Sequence, residues 1–104
     1  MTDTSQRVDV RNVEDALRYE LWVDGTMAGR LEYRSLPRRI ILDHTEVEPE
    51  FDGRGYGSLL ARRALDDART AGQRVIPLCP FIRGWLKRHP EYADVILPPE
   101  GQSE

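Results

Sequence analysis

The sequence predicts an α+β fold: a mixed, mostly antiparallel sheet with one βαβ crossover and two helices. Three observations carry this reading. Tyr19, Leu21 and Val23 alternate with Glu20, Trp22 and Asp24 ahead of an Asp24-Gly25 turn, the pattern of a half-buried strand entering a hairpin. Leu60, Ala64, Ala68 and Ala71 repeat at helical spacing. Arg39–Val47 and Arg74–Leu78 read as strands on either side of that helix, and such a succession closes as a right-handed crossover between parallel neighbours.

Each element has its own warrant. Met27 to Arg34 leaves the turn with Gly29, Leu31 and Tyr33 on one face and Ala28, Arg30, Glu32 and Arg34 on the other. Ser35-Leu36-Pro37-Arg38 breaks that pattern. The apolar run in Arg39–Val47 predicts cover on both faces, and strict alternation puts His44 on the face of Ile40 and Leu42. The long helix turns Arg62, Arg63, Asp66, Asp67 and Arg69 largely away from its apolar stripe. Gly72 is placed to be its left-handed cap, with Arg69 at the negative end of the helix dipole. Phe81–Arg88 predicts a second, short helix stopped by His89-Pro90. The tail from Pro98 to Glu104 is expected to fray. With no repeat, low-complexity block or linker, residues 1–104 form one domain with its core at about residues 8–97.

Composition narrows the function classes. Of 104 residues, 39% are apolar and 32% charged, which is globular rather than disordered or membrane-spanning. The longest apolar runs fall far short of the roughly 20 residues a bilayer requires. Met1 to Asp9 lacks the basic and apolar pairing of a secretory signal, so the expected address is the cytoplasm. A net charge of −3 argues against a surface devoted to nucleic acid or anionic lipid. The single cysteine, Cys79, excludes an intrachain disulfide and any multi-cysteine zinc site, and it suits a reducing compartment.

The chemistry concentrates in Asp52-Gly53-Arg54-Gly55-Tyr56-Gly57, at the start of the long helix. Alternate glycines let the backbone turn sharply and approach a bulky anion, and the unpaired amides of a first helical turn favour phosphate. Arg54 adds a positive charge. The competing reading is a tight strand-to-helix turn with no ligand. The spacing is neither a dinucleotide fingerprint nor a P-loop, since no Gly-Lys-Ser/Thr follows. The loop nevertheless lies at the carboxyl edge of the strands, where open α/β sheets place ligands.

Val47-Glu48-Pro49-Glu50-Phe51-Asp52-Gly53-Arg54-Gly55-Tyr56-Gly57-Ser58-Leu59-Leu60 resembles the acetyl-coenzyme A motif of the GNAT acyltransferase superfamily, Arg/Gln-x-x-Gly-x-Gly/Ala after a strand. His44-Thr45-x-Val47, Pro77-x-Cys79-Pro80-Phe81-Ile82 and Arg88-His89-Pro90-Glu91-Tyr92 extend the likeness, from Tyr19 to Ile96, to the very small stand-alone GNAT-like proteins. The resemblance implies a minimal GNAT-like fold and acetyl-coenzyme A as cofactor. It also implies cofactor contacts from Phe51, Gly53, Arg54, Gly55, Tyr56, Gly57, Ser58 and Arg88. Two departures stand out. Asp52 occupies the usual Arg/Gln position, so binding must rely on backbone amides, and the helical segment that helps wall the acceptor site in larger members is missing. The acceptor pocket is therefore expected to be shallow or completed by a partner.

Cys79 follows the short strand and His44 precedes the loop. In GNAT proteins the pantetheine arm lies between the two strands concerned, so both side chains are candidates for the thioester end. A thiol needs a base to act as nucleophile, which makes Cys79 and His44 the candidate catalytic pair; the bland readings are a buried apolar cysteine and a hydrogen-bonded strand histidine. His89 is a reserve candidate, while Arg83, Lys87 and Arg88 are placed to meet outer phosphates or only solvent. Metal-ligand spacing is lacking. The expected activity is acetyl transfer from coenzyme A to a small-molecule or protein amine, either directly or through an acyl-Cys79. The alternatives are a non-catalytic coenzyme A-binding or protein-interaction module and, more remotely, a nucleotide-phosphate binder.

Overall fold

A computed structural model describes residues 7–97. The strands are β1 (Val8–Val13), β2 (Arg18–Val23), β3 (Thr26–Leu36), β4 (Arg39–Val47) and β5 (Arg74–Pro77), and the helices are α1 (Tyr56–Ala71) and α2 (Pro80–Lys87). They form one five-stranded sheet in the order β1-β2-β3-β4-β5, antiparallel up to β4, with β5 parallel to β4. The expected α+β architecture is thus observed. The expected fraying of the tail lies outside the described residues, and no described helix is long and apolar enough to cross a membrane.

The hairpin and crossover form where local chemistry asks for them. Asp24 and Gly25 take positive φ angles of 49° and 86° in the β2–β3 turn, which aspartate tolerates and glycine prefers. Helix α1 ends on Gly72 in the left-handed conformation, its N–H returning to Ala68 and Arg69 carbonyls. The helix buries Leu60, Ala61, Ala64, Leu65 and Ala68, a wider stripe than the sequence spacing indicated, and Ala71 is exposed. Both helices cover one face of the sheet, packing with Tyr19, Leu21, Leu31, Tyr33, Ile40, Leu42 and Val75 into one core. Each fully buried leucine there contributes roughly 1.5–3 kcal/mol.

Two register shifts change which way side chains point. Leu21 pairs with Gly29 but Trp22 with Met27, so Ala28 is an extra residue in β3. Ala28 is fully buried in the core rather than lying on the polar face. Likewise Glu32 pairs with His44 but Tyr33 with Leu42, making Asp43 an extra residue in β4. Inserting one residue into a period of two sends every following side chain to the opposite face. His44 therefore does not share the face of Ile40 and Leu42; its side chain is 52% exposed. The apolar run of β4 is covered on both faces: Ile40 and Leu42 join the main core, and Ile41, outside that cluster, is buried to 9% exposure by its neighbours.

Strand β1 had no prediction of its own. It pairs along the whole of β2, and Arg63 of α1 reaches across to donate to the Val10 carbonyl at 2.7 Å. Beyond α2, a 3-10 segment, Pro90–Val95, returns the chain to the sheet, where Leu97 N–H donates to Val75 C=O at 2.8 Å. This contact partly covers the outer edge of β5.

Candidate functional site

Strands β4 and β5 pair only from Arg39↔Arg74 to Leu42↔Pro77. There they part: the N–H groups of Leu78 and Cys79 both donate to the Leu42 carbonyl, each at 3.0 Å, while β4 runs on to Val47. The divergence opens a cleft of about 510 Å³ on the helical side, lined by Thr45 and Val47 of β4, the glycine loop, the first turn of α1, and Phe81, Trp85, Arg88 and His89.

The glycine loop forms one wall. Gly53 and Gly55 have φ angles of 77° and 79°, and a Cβ at either would meet nothing within 4 Å. Both conformations favour glycine, and the peptides stand open to solvent. Gly55 caps α1 with no side-chain hydrogen bond, and the helix's first backbone bond runs from Leu59 N–H to Gly55 C=O. The amides of Gly57 and Ser58 thus have no intrahelical acceptor. Gly57 has a different duty: its absent Cβ makes room for the Phe81 ring, whose Cζ would lie 2.8 Å from it.

Asp52 carries a carboxylate at the position where the motif usually has Arg or Gln. Its Oδ1 accepts the N–H of Gly53 at 3.1 Å, so the carboxylate engages the loop's own backbone and uses one amide of the cradle. Arg54 places its guanidinium 5.8 Å from the centre of the Phe51 ring, and Phe51 in turn leans on Tyr56.

Opposite the loop, Ser58 accepts the indole N–H of Trp85 at 2.7 Å. Trp85 is 2% exposed and stacks on His89 with ring centres 3.7 Å apart. His89 Nδ1 lies 3.1 Å from a Glu91 carboxylate oxygen. That carboxyl is held below the usual range by its own backbone N–H and by His89. Tyr92, beside Trp85, donates to Asp66 at 2.7 Å, so the charged face of α1 braces this wall.

A model of GCN5-related N-acetyltransferases matches residues 18–95. The chain belongs to that family. No curated protein sequence matches it. Among solved structures, this N-acetyltransferase is similar to a GCN5-like protein from Staphylococcus aureus at 24% identity and TM-score 0.69, covering 92% of this chain and 94% of that one. It also resembles the ribosomal-protein-S18-alanine N-acetyltransferase of Escherichia coli at 21% identity and TM-score 0.56, covering 59% of this chain and 40% of that one. A third is PaiA N-acetyltransferase of Thermoplasma acidophilum, in complex with coenzyme A, at 21% identity and TM-score 0.51, covering 57% and 39%. At these identities the likeness establishes the fold. The chain spans well under half of the latter two.

Acetyl-coenzyme A is the acyl donor of the family. The cleft fits that group: open glycine peptides and first-turn amides face it, with Arg88 on its rim. Of the expected contacts, Phe51, Gly53, Gly55, Tyr56, Gly57, Ser58 and Arg88 line the cleft, whereas Arg54 sits over Phe51 instead. Arg83 and Lys87 are not among its lining residues.

The expected Cys79–His44 pair is not formed in this acetyltransferase. Cys79 is buried, and its thiol points to Thr45 Oγ1 at 3.4 Å. Neighbours in a strand project to opposite faces, so His44 lies on the open face, its Nε2 3.3 Å from Glu46 Oε1. The bulge at Asp43 is the cause, and the consecutive polar residues Asp43-His44 are its only trace in the sequence. Sequence reasoning missed Val47, Phe81 and Trp85 as cleft residues. Trp85 reads as core and is core, and nothing in its spacing announces that its N–H is tied to Ser58.

Proposed function

We propose that the cleft holds the diphosphate of acetyl-coenzyme A against the amides at the start of α1, and that the acetyl group passes directly to an amine arriving from the open face of the sheet. The parting of β4 from β5 after Leu42 supports this most strongly, because it leaves backbone of β4 without a strand partner between the cleft and the face bearing His44. Coenzyme A supplies the acetyl group as a reactive thioester.

The chain's own residues do the rest. Glu46 orients the His44 ring through Nε2, which leaves Nδ1 to accept a proton. As the nitrogen of the free-base amine bonds the acyl carbon, His44 takes its proton; the sulfur departs with the electrons of the C–S bond and becomes the thiol as His44 gives that proton up. Unpaired N–H groups of β4 polarise the carbonyl. Cys79, facing Thr45, shapes the wall and carries no acyl group. The acceptor is a small-molecule or protein amine, met on an open surface rather than in a deep pocket.

Thiol release from acetyl-coenzyme A is the direct test, measured with a panel of polyamines, amino acids and lysine- or amino-terminal peptides. Turnover that falls about 100-fold in His44→Gln, with no adduct on Cys79 by mass spectrometry, is the expected result. The Asp52–Gly53 contact favours a second reading, a cleft that binds coenzyme A without turnover. Coenzyme binding with no thiol release from any amine would establish that instead.

A further inference from the structure

The wall opposite the glycine loop is more elaborate than shaping a slot for an acyl chain requires. Arg88 and His89 lie side by side at the end of α2 and both line the cleft. Cys79, which touches Thr45, stands at the other end of the same helix. At 1.5 Å per residue the separation is about 13 Å. The cleft is thus differentiated along its length, with Thr45 at one end, Arg88 and His89 at the other and the amides of α1 on the facing wall.

His89 is also built in. Its ring stacks on Trp85 at 3.7 Å with an interplanar angle of 16°. The indole is fixed by its bond to Ser58, in the first turn of α1. Position is therefore relayed from the proposed diphosphate cradle to His89 through two side chains, Ser58 and Trp85. Three charges surround the imidazole: Glu91 on Nδ1, Arg62 3.9 Å from Glu91, and the adjoining Arg88. Among the described residues Arg88 makes one hydrogen bond, to the Gly84 carbonyl at 3.3 Å, so its fork of donors is largely unspent there.

We propose that Arg88 and His89 bind the 3′-phosphomonoester of coenzyme A. The inference rests on the cofactor reading above and goes further, because it assigns a second anion subsite to residues outside the glycine loop. A phosphomonoester carries about 1.5 to 2 negative charges at neutral pH and three acceptor oxygens. An arginine with spare donors beside an imidazole N–H matches it. Glu91 occupies Nδ1, which leaves Nε2 to meet a ligand, and Trp85 fixes the plane of the ring. Asp52 adds to the case, since a loop that uses one of its own amides gains from an anchor elsewhere.

Calorimetric titration of the whole chain with coenzyme A and with 3′-dephospho-coenzyme A provides the test. Trp85 fluorescence in a Trp22→Phe background, where the removed indole lies on the open face near Arg11, supplies a second readout. The wild type is expected to prefer coenzyme A by about tenfold or more. Arg88→Gln and His89→Gln should each cut that preference to about threefold or less while leaving dephospho-coenzyme A affinity unchanged. Equal wild-type affinity for the two ligands overturns the proposal, as does an equal loss of both in the variants. Failure to bind either ligand would overturn the cofactor reading and this subsite with it. If His89→Gln loosens the fold, the exposed Arg88→Gln decides the matter alone.

Discussion

The thiol of Cys79 points at the hydroxyl of Thr45, 3.4 Å away and inside the core, with no imidazole beside it. Cys79→Ala is therefore expected to keep turnover within about threefold of wild type. It should cost about 1–2 kcal/mol in urea unfolding, as for other small buried truncations. Loss of turnover with unchanged stability would restore the acyl-cysteine route.

Asp52 sets two opposing effects on the loop: it orders Gly53 and it places a negative charge on the cleft rim. Asp52→Asn keeps an acceptor for the amide and removes the charge. Coenzyme A should bind it about three- to tenfold tighter at low ionic strength, a gain that shrinks in about 0.5 M salt as screening takes over. Titrations at the two salt concentrations check both parts.

Two glycines should respond oppositely to alanine. A Cβ at Gly29 would lie 2.9 Å from the Glu46 carbonyl oxygen, which is fixed backbone, so Gly29→Ala should destabilise by about 1–3 kcal/mol. At Gly57 the obstacle is the tip of the Phe81 ring, which is 39% exposed and free to swing. A gain in helix propensity of about 1 kcal/mol offsets that shift. Gly57→Ala should then unfold within about 0.5 kcal/mol of wild type yet bind coenzyme A more weakly, since the displaced ring lines the cleft.

Three tyrosines make the fold sensitive to alkali. Burial first, then the hydrogen bond to Asp67, raises Tyr19 well above its ordinary 10.0. Tyr33 is raised by burial and by Glu14, and Tyr92 by burial and Asp66. The unfolded chain releases these protons near pH 10 while the folded chain holds them. The stabilisation is complete below that pH and is lost as pH rises above it. Tyr19, the most strongly raised of the three, steepens the decline by up to about 1.4 kcal/mol per pH unit. Tyr19→Phe should remove one tyrosine's share of the slope, measured by urea unfolding between about pH 9 and 11.

Much of this was legible in the chain. The Asp24-Gly25 turn, the stripe of α1, its Gly72 cap and the bounds of β4 follow from local chemistry that acts over a few residues. The bulges at Ala28 and Asp43 were not, because an extra residue in a ladder is chosen by the partner strand. One consequence was a misplaced His44. The glycine loop was legible as a tight turn opening α1, but the Asp52–Gly53 bond and the Ser58–Trp85 bond depend on side-chain rotamers and on how α2 crosses α1.

The open face of the sheet carries a row of alternating charge across four strands. Arg11 lies opposite Glu20, Glu20 opposite Arg30, and Arg30 opposite Glu46, while Arg18 faces Glu32 in the next row. Consider β2 sliding two residues along β3, the smallest slip that keeps every side chain on its own face. One direction sets Arg18 against Arg30, and the other sets Glu20 against Glu32 and Arg18 against Arg34. Both place like charges opposite one another, which is destabilising. The bare side of the sheet thus acts as a lock on strand alignment, holding the β2–β3 ladder in one frame.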